Sequence, residues 1–409
     1  MTRIRVANVI TRMTAGAGGV ALRGALALDP DLYEVSFIAG GTGLDGTRGD
    51  STAEKPEVLR GEEAVAAAPP ADLIGEAFLA GMEVLQVPSL VPEISPRNDR
   101  AALRILTRVL AEGGYDVVHT HSAKGGVLGR LAAARAGTKR IVHTWHGFPF
   151  HDFQAAWRRD IYVRIERHCG KHTDAFLAVG AQVAVEAMRR RMGTADRIRT
   201  IPPAVDTYTY APGNREQARA LLDLPVGVRI VGTVGRVCFQ KAPEHFIEAL
   251  SKQPADVYGV WIGGGEDLDE MKALAERKGL GERMRWLGHR DDVVRLLPAF
   301  EVFAMASRYE GLPCVVIEAV NAGVPVVATS VNALSDVVVP GETGLLVPPA
   351  RPAELAAAIT YVLDHPSEGK RMAEAAKQRI GADYTPAALA TVLDQVYRGP
   401  YRRPFQEGK

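Results

Sequence analysis

Glu310-Gly311-Leu312-Pro313-Cys314-Val315-Val316-Ile317-Glu318 carries two carboxylates eight positions apart across a strand-to-helix turn. The stretch is preceded by the apolar run Val302 to Met305, a strand pattern, and followed by the apolar periodicity of a helix. With the turn ending near Leu312, Pro313 is expected at the first helical position, where its missing N–H costs nothing. The amides of Gly311, Leu312 and Cys314 then face whatever lies beyond the helix start, an arrangement suited to an anion. Glu318 falls more than one turn into the helix, so the two carboxylates are expected to meet different parts of one elongated ligand.

Outward from this turn, the second half of the chain repeats the strand-then-helix alternation. Arg229 to Val234, Val257 to Ile262, Met284 to Gly288, Val302 to Met305, Pro325 to Thr329 and Leu345 to Val347 read as strands. Helical stretches follow at Pro352 to Asp364, Glu368 to Ile380 and Pro386 to Tyr397. The first half shows the same alternation, with strands at Arg3 to Ile10, Tyr33 to Ala39, Glu83 to Val87, Asp116 to Thr120, Arg140 to Thr144 and Asp174 to Val179. Gly19 to Leu28, Asp99 to Glu112, Lys124 to Ala136, Phe153 to Lys171 and Gln182 to Met192 read as the helices between them. This alternation predicts an α/β protein of two doubly wound, parallel-sheet, Rossmann-like domains facing a central cleft. The expected domains are 1–205 and 206–384, with the C-terminal helix, about 385–409, packing back on the first. Residues 40–71, rich in Gly, Ala, Pro, Asp and Glu without periodicity, read as a loop.

Length and composition agree: 409 residues exceed one ordinary core, and 47% hydrophobic with 24% charged residues is a globular composition. The charge-free run from Ala319 to Ser335 contains Asn321, Pro325 and Asn332, so no bilayer span is expected. The N-terminus, Met-Thr-Arg-Ile-Arg, leads straight into a strand pattern without an apolar signal region, and the expected location is cytoplasmic. Cys169, Cys238 and Cys314 are scattered, which suits reduced thiols and offers no zinc spacing. The net charge of +1 is unevenly spread, with 7 basic against 12 acidic residues over 1–83, 19 against 10 over 84–205, and 23 against 26 beyond. Arg97, Arg100, Arg104 and Arg108, then Arg158, Arg159, Arg164, Arg167 and Arg189 to Arg191, make up most of the basic excess. They read either as an ordinary solvated face or as peripheral contact with an anionic membrane surface.

Several constellations fall at expected strand ends. Gly235-Arg236-x4-Lys241 follows one strand, and two cations so spaced suit a diphosphate, because Arg forks two oxygens and Lys adds a point charge. Gly263-Gly264-Gly265 closes the next, either as a tight turn or as a backbone that approaches a ligand closely. Gly16-x-Gly18-x-x-Ala21 and Gly41-x-Gly43-x-x-Gly46 resemble dinucleotide fingerprints, yet no acid closes the second strand to hold a ribose. Gly18 and Gly19 are therefore read as a helix start facing phosphate. His119-Thr-His121 and His143-Thr-Trp-His146-Gly bring histidines to two adjacent strand ends; His119 and His143 are expected to be buried and hydrogen-bonded, and His146 to act at the cleft edge. No carboxylate or cysteine joins them at ligand spacing, so no metal is expected.

Together these segments resemble the family 4 retaining glycosyltransferases of the GT-B fold, in the bacterial exopolysaccharide or capsule branch. Glu310-Gly-Leu-Pro-x4-Glu318 with Gly323-Val-Pro325 downstream carries the likeness, and Gly235-Arg236-x4-Lys241, His119-Thr-His121-Ser-x-Lys124 and His146-Gly-Phe-Pro-Phe corroborate it. The resemblance implies a nucleotide-diphosphate-sugar donor, UDP-linked by expectation, a carbohydrate or lipid-linked hydroxyl acceptor, no cofactor and no nucleic acid. It assigns His146, Arg236, Lys241 and Glu310 to catalysis. With the helix starts and glycine turns read above, Gly18, Gly19, Gly264, Gly265, Gly311, Leu312, Pro313 and Glu318 are expected on the donor side, and His121 and Lys124 on the acceptor side. Arg236 and Lys241 hold the diphosphate in that reading, Glu310 contacts the sugar, Glu318 the ribose, and the departing phosphate takes the acceptor's proton. Ala242 stands where the family often has Gly, Pro203-Ala204 where Asn-Gly is common, Cys314 where Asn is frequent, and Val331 to Asp336 where Gly-Gly-x-x-Glu is usual. Two other readings stay open from the residues alone: a dinucleotide-dependent oxidoreductase acting on nucleotide sugars, and a non-catalytic nucleotide-sugar sensor.

Overall fold

The computed structural model describes residues 2–14, 16–41, 58–68, 72–205 and 215–399. Contacts divide the chain into two units, 1–204 with 386–409, and 205–385.

In the first unit the elements run β1 (Ile4–Ile10), α1 (Ala17–Leu26), β2 (Tyr33–Gly40), β3 (Leu59–Arg60), α2 (Glu62–Ala66), α3 (Ile74–Leu79) and β4 (Glu83–Val87). They continue with α4 (Pro96–Gly113), β5 (Val117–His121), α5 (Ala123–Arg135), β6 (Arg140–Trp145), α6 (Ala156–Gly170), β7 (Ala175–Ala178), α7 (Ala181–Arg189) and β8 (Ile198–Thr200). The eight strands lie in the order β3-β4-β2-β1-β5-β6-β7-β8, and every neighbouring pair except β3–β4 is parallel. Alternate residues feed two cores. Ala7, Val9, Ile38, Leu85 and Val118 pack with Leu106 and Val109 of α4 on one face. Ile10, Phe37, Ala39 and Val84 pack with Leu22 and Ala25 of α1 on the other.

Helix α4 shows how local sequence sets an element. Ser95 accepts from the Asn98 amide at 3.4 Å, Asp99 reaches back to the Ser95 amide at 3.3 Å, and Pro96 occupies the first turn. Ala102, Ile105, Leu106, Val109 and Leu110 form its buried stripe, and Gly114 ends it at φ 60°. Ser95-Pro96 is the start signal that a periodicity reading beginning at Asp99 overlooks.

The second unit contains α8 (Arg215–Ala220), β9 (Arg229–Val234), α9 (Pro243–Ser251), β10 (Val257–Ile262), α10 (Leu268–Arg277), β11 (Met284–Trp286), α11 (Val293–Leu296) and β12 (Val302–Met305). It ends with α12 (Cys314–Asn321), β13 (Val326–Thr329), α13 (Leu334–Val337), β14 (Leu345–Val347), α14 (Pro352–Asp364) and α15 (Pro366–Ile380). Its six parallel strands lie in the order β11-β10-β9-β12-β13-β14. Strand order reverses between β9 and β12, so the carboxyl ends of these two strands flank the place where open α/β sheets bind ligands. Helix α16 (Pro386–Arg398) returns to the first unit, where Leu389 and Leu393 lie against Gly24 of α1.

One expectation needs correction. Residues 58–68 are not loop: they form β3 and α2, elements of two and five residues that are too short to show a period. Of the rest of that expected loop, 42–57 and 69–71 lie outside the described residues, as do Gly43 and Gly46 of the second glycine pattern and residues 400–409. Among the described residues no helix is long and apolar enough to cross a membrane.

Candidate active site

The loops after β9 and β12 meet through their side chains. Lys241 Nζ donates to Glu310 Oε1 at 2.6 Å, with 17% and 6% of the two side chains exposed. Ser307 Oγ donates to the same oxygen at 2.7 Å, and Gln240 Nε2 donates to Oε2 at 3.1 Å. The Asn332 amide donates to the Glu310 carbonyl, and Thr329 holds the Ser307 carbonyl at 2.6 Å. A buried carboxylate needs such donors to offset the water it loses. Counting the Asn332 bond to its carbonyl, Glu310 has four side-chain partners from three different loops, and Gln240, Ser307 and Asn332 were not singled out from the sequence.

Arg236, next to this pair along the chain, is held loosely. Its side chain is 63% exposed and lies 4.0 Å from Glu266. Beneath it the glycines serve backbone packing. A Cβ on Gly263 would meet the Gly235 carbonyl oxygen at 2.2 Å, and one on Gly265 would meet the Val237 carbonyl oxygen at the same distance. The loops are joined by Val237 N–H to Gly264 carbonyl at 2.8 Å and Asp267 N–H to Val237 carbonyl at 3.2 Å. Gly265 is thus fixed by its neighbour loop, whereas a Cβ on Gly264 would enter open space. Ala242 adopts φ 49° as N-cap of α9, a left-handed conformation in which glycine carries no Cβ strain.

The start of α12 also differs from expectation. Pro313 is the N-cap, with ψ 125°, and the helix opens at Cys314. The proline ring fixes φ, which suits either position, and the extended ψ excludes it from the first turn. Gly311 and Pro313 are half-buried, Leu312 is buried, and Glu318 sits half-buried in the second turn of α12.

In the first unit, β-register brings Asn8 beside His119 and His121 beside Thr144. His119 bonds Tyr397 Oη of α16 and Thr144 Oγ1, both at 2.7 Å. His143, on the opposite sheet face, bonds Thr120 Oγ1 at 2.9 Å. His121 is 2% exposed, with Nε2 at 3.0 Å from Asn8 Oδ1 and Nδ1 at 3.0 Å from His146 Nε2. Both its nitrogens are engaged within the protein. His146 itself is half-buried just beyond β6. Burial keeps all four rings neutral, with His146 pushed down to about 4 and His119 to about 3 by desolvation, and His121 and His143 well below the usual histidine value.

Lys124 donates to Asp99 of α4 at 2.6 Å and to the Glu93 carbonyl. Gly18 and Gly19 are buried, and a Cβ on Gly18 would press on the Met13 backbone at 2.8 Å. The exposed position at that helix start is its N-cap Gly16, with φ 77°. Cys169, Cys238 and Cys314 form no disulfide among the described residues.

Comparison with known proteins gives a consistent picture. The model "Glycosyl transferases group 1" matches residues 214–379, and "Glycosyltransferase Family 4" matches residues 55–208. The chain is 31% identical over 255 residues to a UDP-Gal:alpha-D-GlcNAc-diphosphoundecaprenol alpha-1,3-galactosyltransferase of Escherichia coli, a match covering 60% of this chain and 66% of that protein, just under two thirds of its length. It is 31% identical over 354 residues to a D-inositol 3-phosphate glycosyltransferase of Xylanimonas cellulosilytica, covering 79% of this chain and 84% of that one. Among solved structures, HepE of Anabaena in complex with UDP and glucose superposes with a TM-score of 0.77 at 18% identity, covering 96% of this chain and 99% of the other. At that identity the likeness speaks for the fold.

Proposed function

The chain belongs to the family 4 glycosyltransferases of the GT-B fold, and on that premise we propose that it moves a sugar from a UDP-linked donor to a hydroxyl of a lipid-linked or carbohydrate acceptor, with retention at the anomeric carbon. The observation that carries the reading is the Lys241–Glu310 pair at the strand-order reversal of the second unit. Lysine has three N–H donors. One meets Glu310, leaving two for phosphate oxygens, so a single ammonium joins a sugar-contacting carboxylate to the leaving group. Arg236 supplies the second cation, exposed and able to fork.

In this reading the bond between the anomeric carbon and the diphosphate oxygen breaks as the acceptor oxygen bonds to the same face of that carbon. The acceptor's proton passes to the departing phosphate oxygen. Cations at the diphosphate stabilise the charge developing there, which is the largest contribution side chains of this kind make. The positive charge comes from Arg236 and Lys241, and we propose that no resident metal or cofactor is needed. Glu318 is assigned to the ribose and His146 to the reacting sugar.

A screen of nucleotide sugars by thermal denaturation, in EDTA, tests the donor. The cognate UDP-sugar is expected to raise Tm, since a ligand at a hundred times its Kd stabilises by about 2.7 kcal/mol. No shift with any nucleotide sugar, together with no transfer and no donor hydrolysis, would refute the reading.

The acceptor side is read from α6. Phe153 lies just before it at 46% exposure, and Trp157, Ile161 and Ile165 are 61%, 45% and 39% exposed at spacings of four, so the three share one helix face. Exposed Arg158 and Arg164 flank them, with the Arg158 guanidinium 5.2 Å from the Trp157 ring centre. Apolar anchors rimmed by arginine suit an anionic phospholipid surface, where a lipid-linked acceptor resides. Vesicles of anionic lipid are expected to co-sediment the protein at low salt and release it at high salt, and Ile161→Asp to weaken binding. Equal sedimentation with neutral vesicles, or none at low salt, ends this assignment.

A further inference from the structure

We infer that Asn8 is a positioning residue that fixes, through His121, which nitrogen of His146 carries the proton. The inference follows from counting donors along three residues. Asn8 Oδ1 accepts and cannot donate, so His121 Nε2, 3.0 Å away, carries the hydrogen. A neutral imidazole has one N–H, so His121 Nδ1 is a lone pair. Its contact, His146 Nε2 at 3.0 Å, must then donate. The basic nitrogen of neutral His146 is therefore Nδ1, and His146 meets a substrate hydroxyl as a hydrogen-bond acceptor. Protonation of His146 adds its second hydrogen at Nδ1 and leaves the relay intact.

The fold holds the relay rigidly. Asn8 and His121 sit on neighbouring strands β1 and β5, 113 positions apart, and are 3% and 2% exposed. His119, buried on the same face and held by Tyr397 and Thr144, packs its ring 4.1 Å from that of His121 and blocks rotation. Burial and neighbouring rings keep His121 uncharged, so the one-proton count holds at neutral pH. A carboxylate orienting the catalytic histidine of serine hydrolases works by the same tautomer logic. Here a neutral amide and a second imidazole take its place.

The relay rests on the reading of His146 given above, and its test separates the two. Long-range proton–nitrogen correlation spectra of uniformly ¹⁵N-labelled protein, with His146 assigned by loss of its signals in His146→Gln, are expected to show Nε2 protonated and Nδ1 bare. Asn8→Leu is expected to mix the two tautomers and lower kcat about tenfold or more with donor KM little changed, as for loss of an orienting partner. A His146 proton on Nδ1 in the wild type overturns the relay. Should Asn8→Leu fail to fold, the wild-type tautomer still decides. If the tautomer is as stated but His146→Gln transfers sugar normally, the relay stands and the catalytic reading of His146 falls.

Discussion

Lys241→Ala is expected to lower kcat by about a hundredfold to a thousandfold, the loss that follows removal of one preorganised group from a developing negative charge. The side chain is already placed: its ammonium is 2.6 Å from Glu310, and its stem runs over Gly235, where a Cβ would come within 2.9 Å of Lys241 Cε. Because the slot above Gly235 fits an unbranched chain, Lys241→Arg is expected to rescue poorly. Arg236→Ala is expected to cost less, since that side chain is 63% exposed and must be ordered by the ligand. The measurement is kcat and donor KM for both variants with the best donor from the thermal screen, alongside Tm. Glu310 keeps Ser307 and Gln240 as donors in Lys241→Ala, so the fold is expected to survive. Near-normal turnover in both variants would remove the diphosphate role from these residues.

What could be read from the chain, and what could not, divides along sequence distance. The parallel strands of both units show as short β-branched runs buried on two faces, as in Val302–Met305, all four residues of which are buried. The loops bearing Arg236, Lys241 and Glu310 follow such runs, so their positions at strand ends were legible too. That Lys241 and Glu310, 69 positions apart, share a proton-bridged contact was not, because no local pattern encodes which loops of a sheet are neighbours. The same holds for Asn8 and His121, and for Ser307, Gln240 and Asn332, ordinary polar residues until the strand order sets them around one carboxylate. The close backbone packing at Gly18 and Gly265 was not legible for another reason. A glycine that admits a neighbouring backbone looks the same in sequence as one that admits a phosphate.

The second large effect concerns stability. Glu166→Ala is expected to destabilise the first unit by about 3–5 kcal/mol, because it strands a buried guanidinium. Arg130 on α5 and Glu166 on α6 are 0% and 4% exposed, with Nη2 at 2.9 Å from both carboxylate oxygens. The guanidinium also donates from Nε to the Gly126 carbonyl at 2.8 Å. A carbonyl satisfies a hydrogen but does not offset the charge, so the carboxylate is what makes burial of Arg130 tolerable. The comparison that isolates this term is the double variant Arg130→Met/Glu166→Leu, which removes both charges and is expected to lie much nearer the wild type in urea midpoint than Glu166→Ala does. Equal losses in single and double variants would mean that packing, not the stranded charge, sets the cost. The effect should also reach the site. Trp145, whose indole donates to Glu166 Oε2 at 3.3 Å and stacks on Phe176 at 4.4 Å, immediately precedes His146. A Glu166→Ala protein that remains folded at low temperature is therefore expected to lose kcat as well, through the freedom gained by the strand end that carries the histidine.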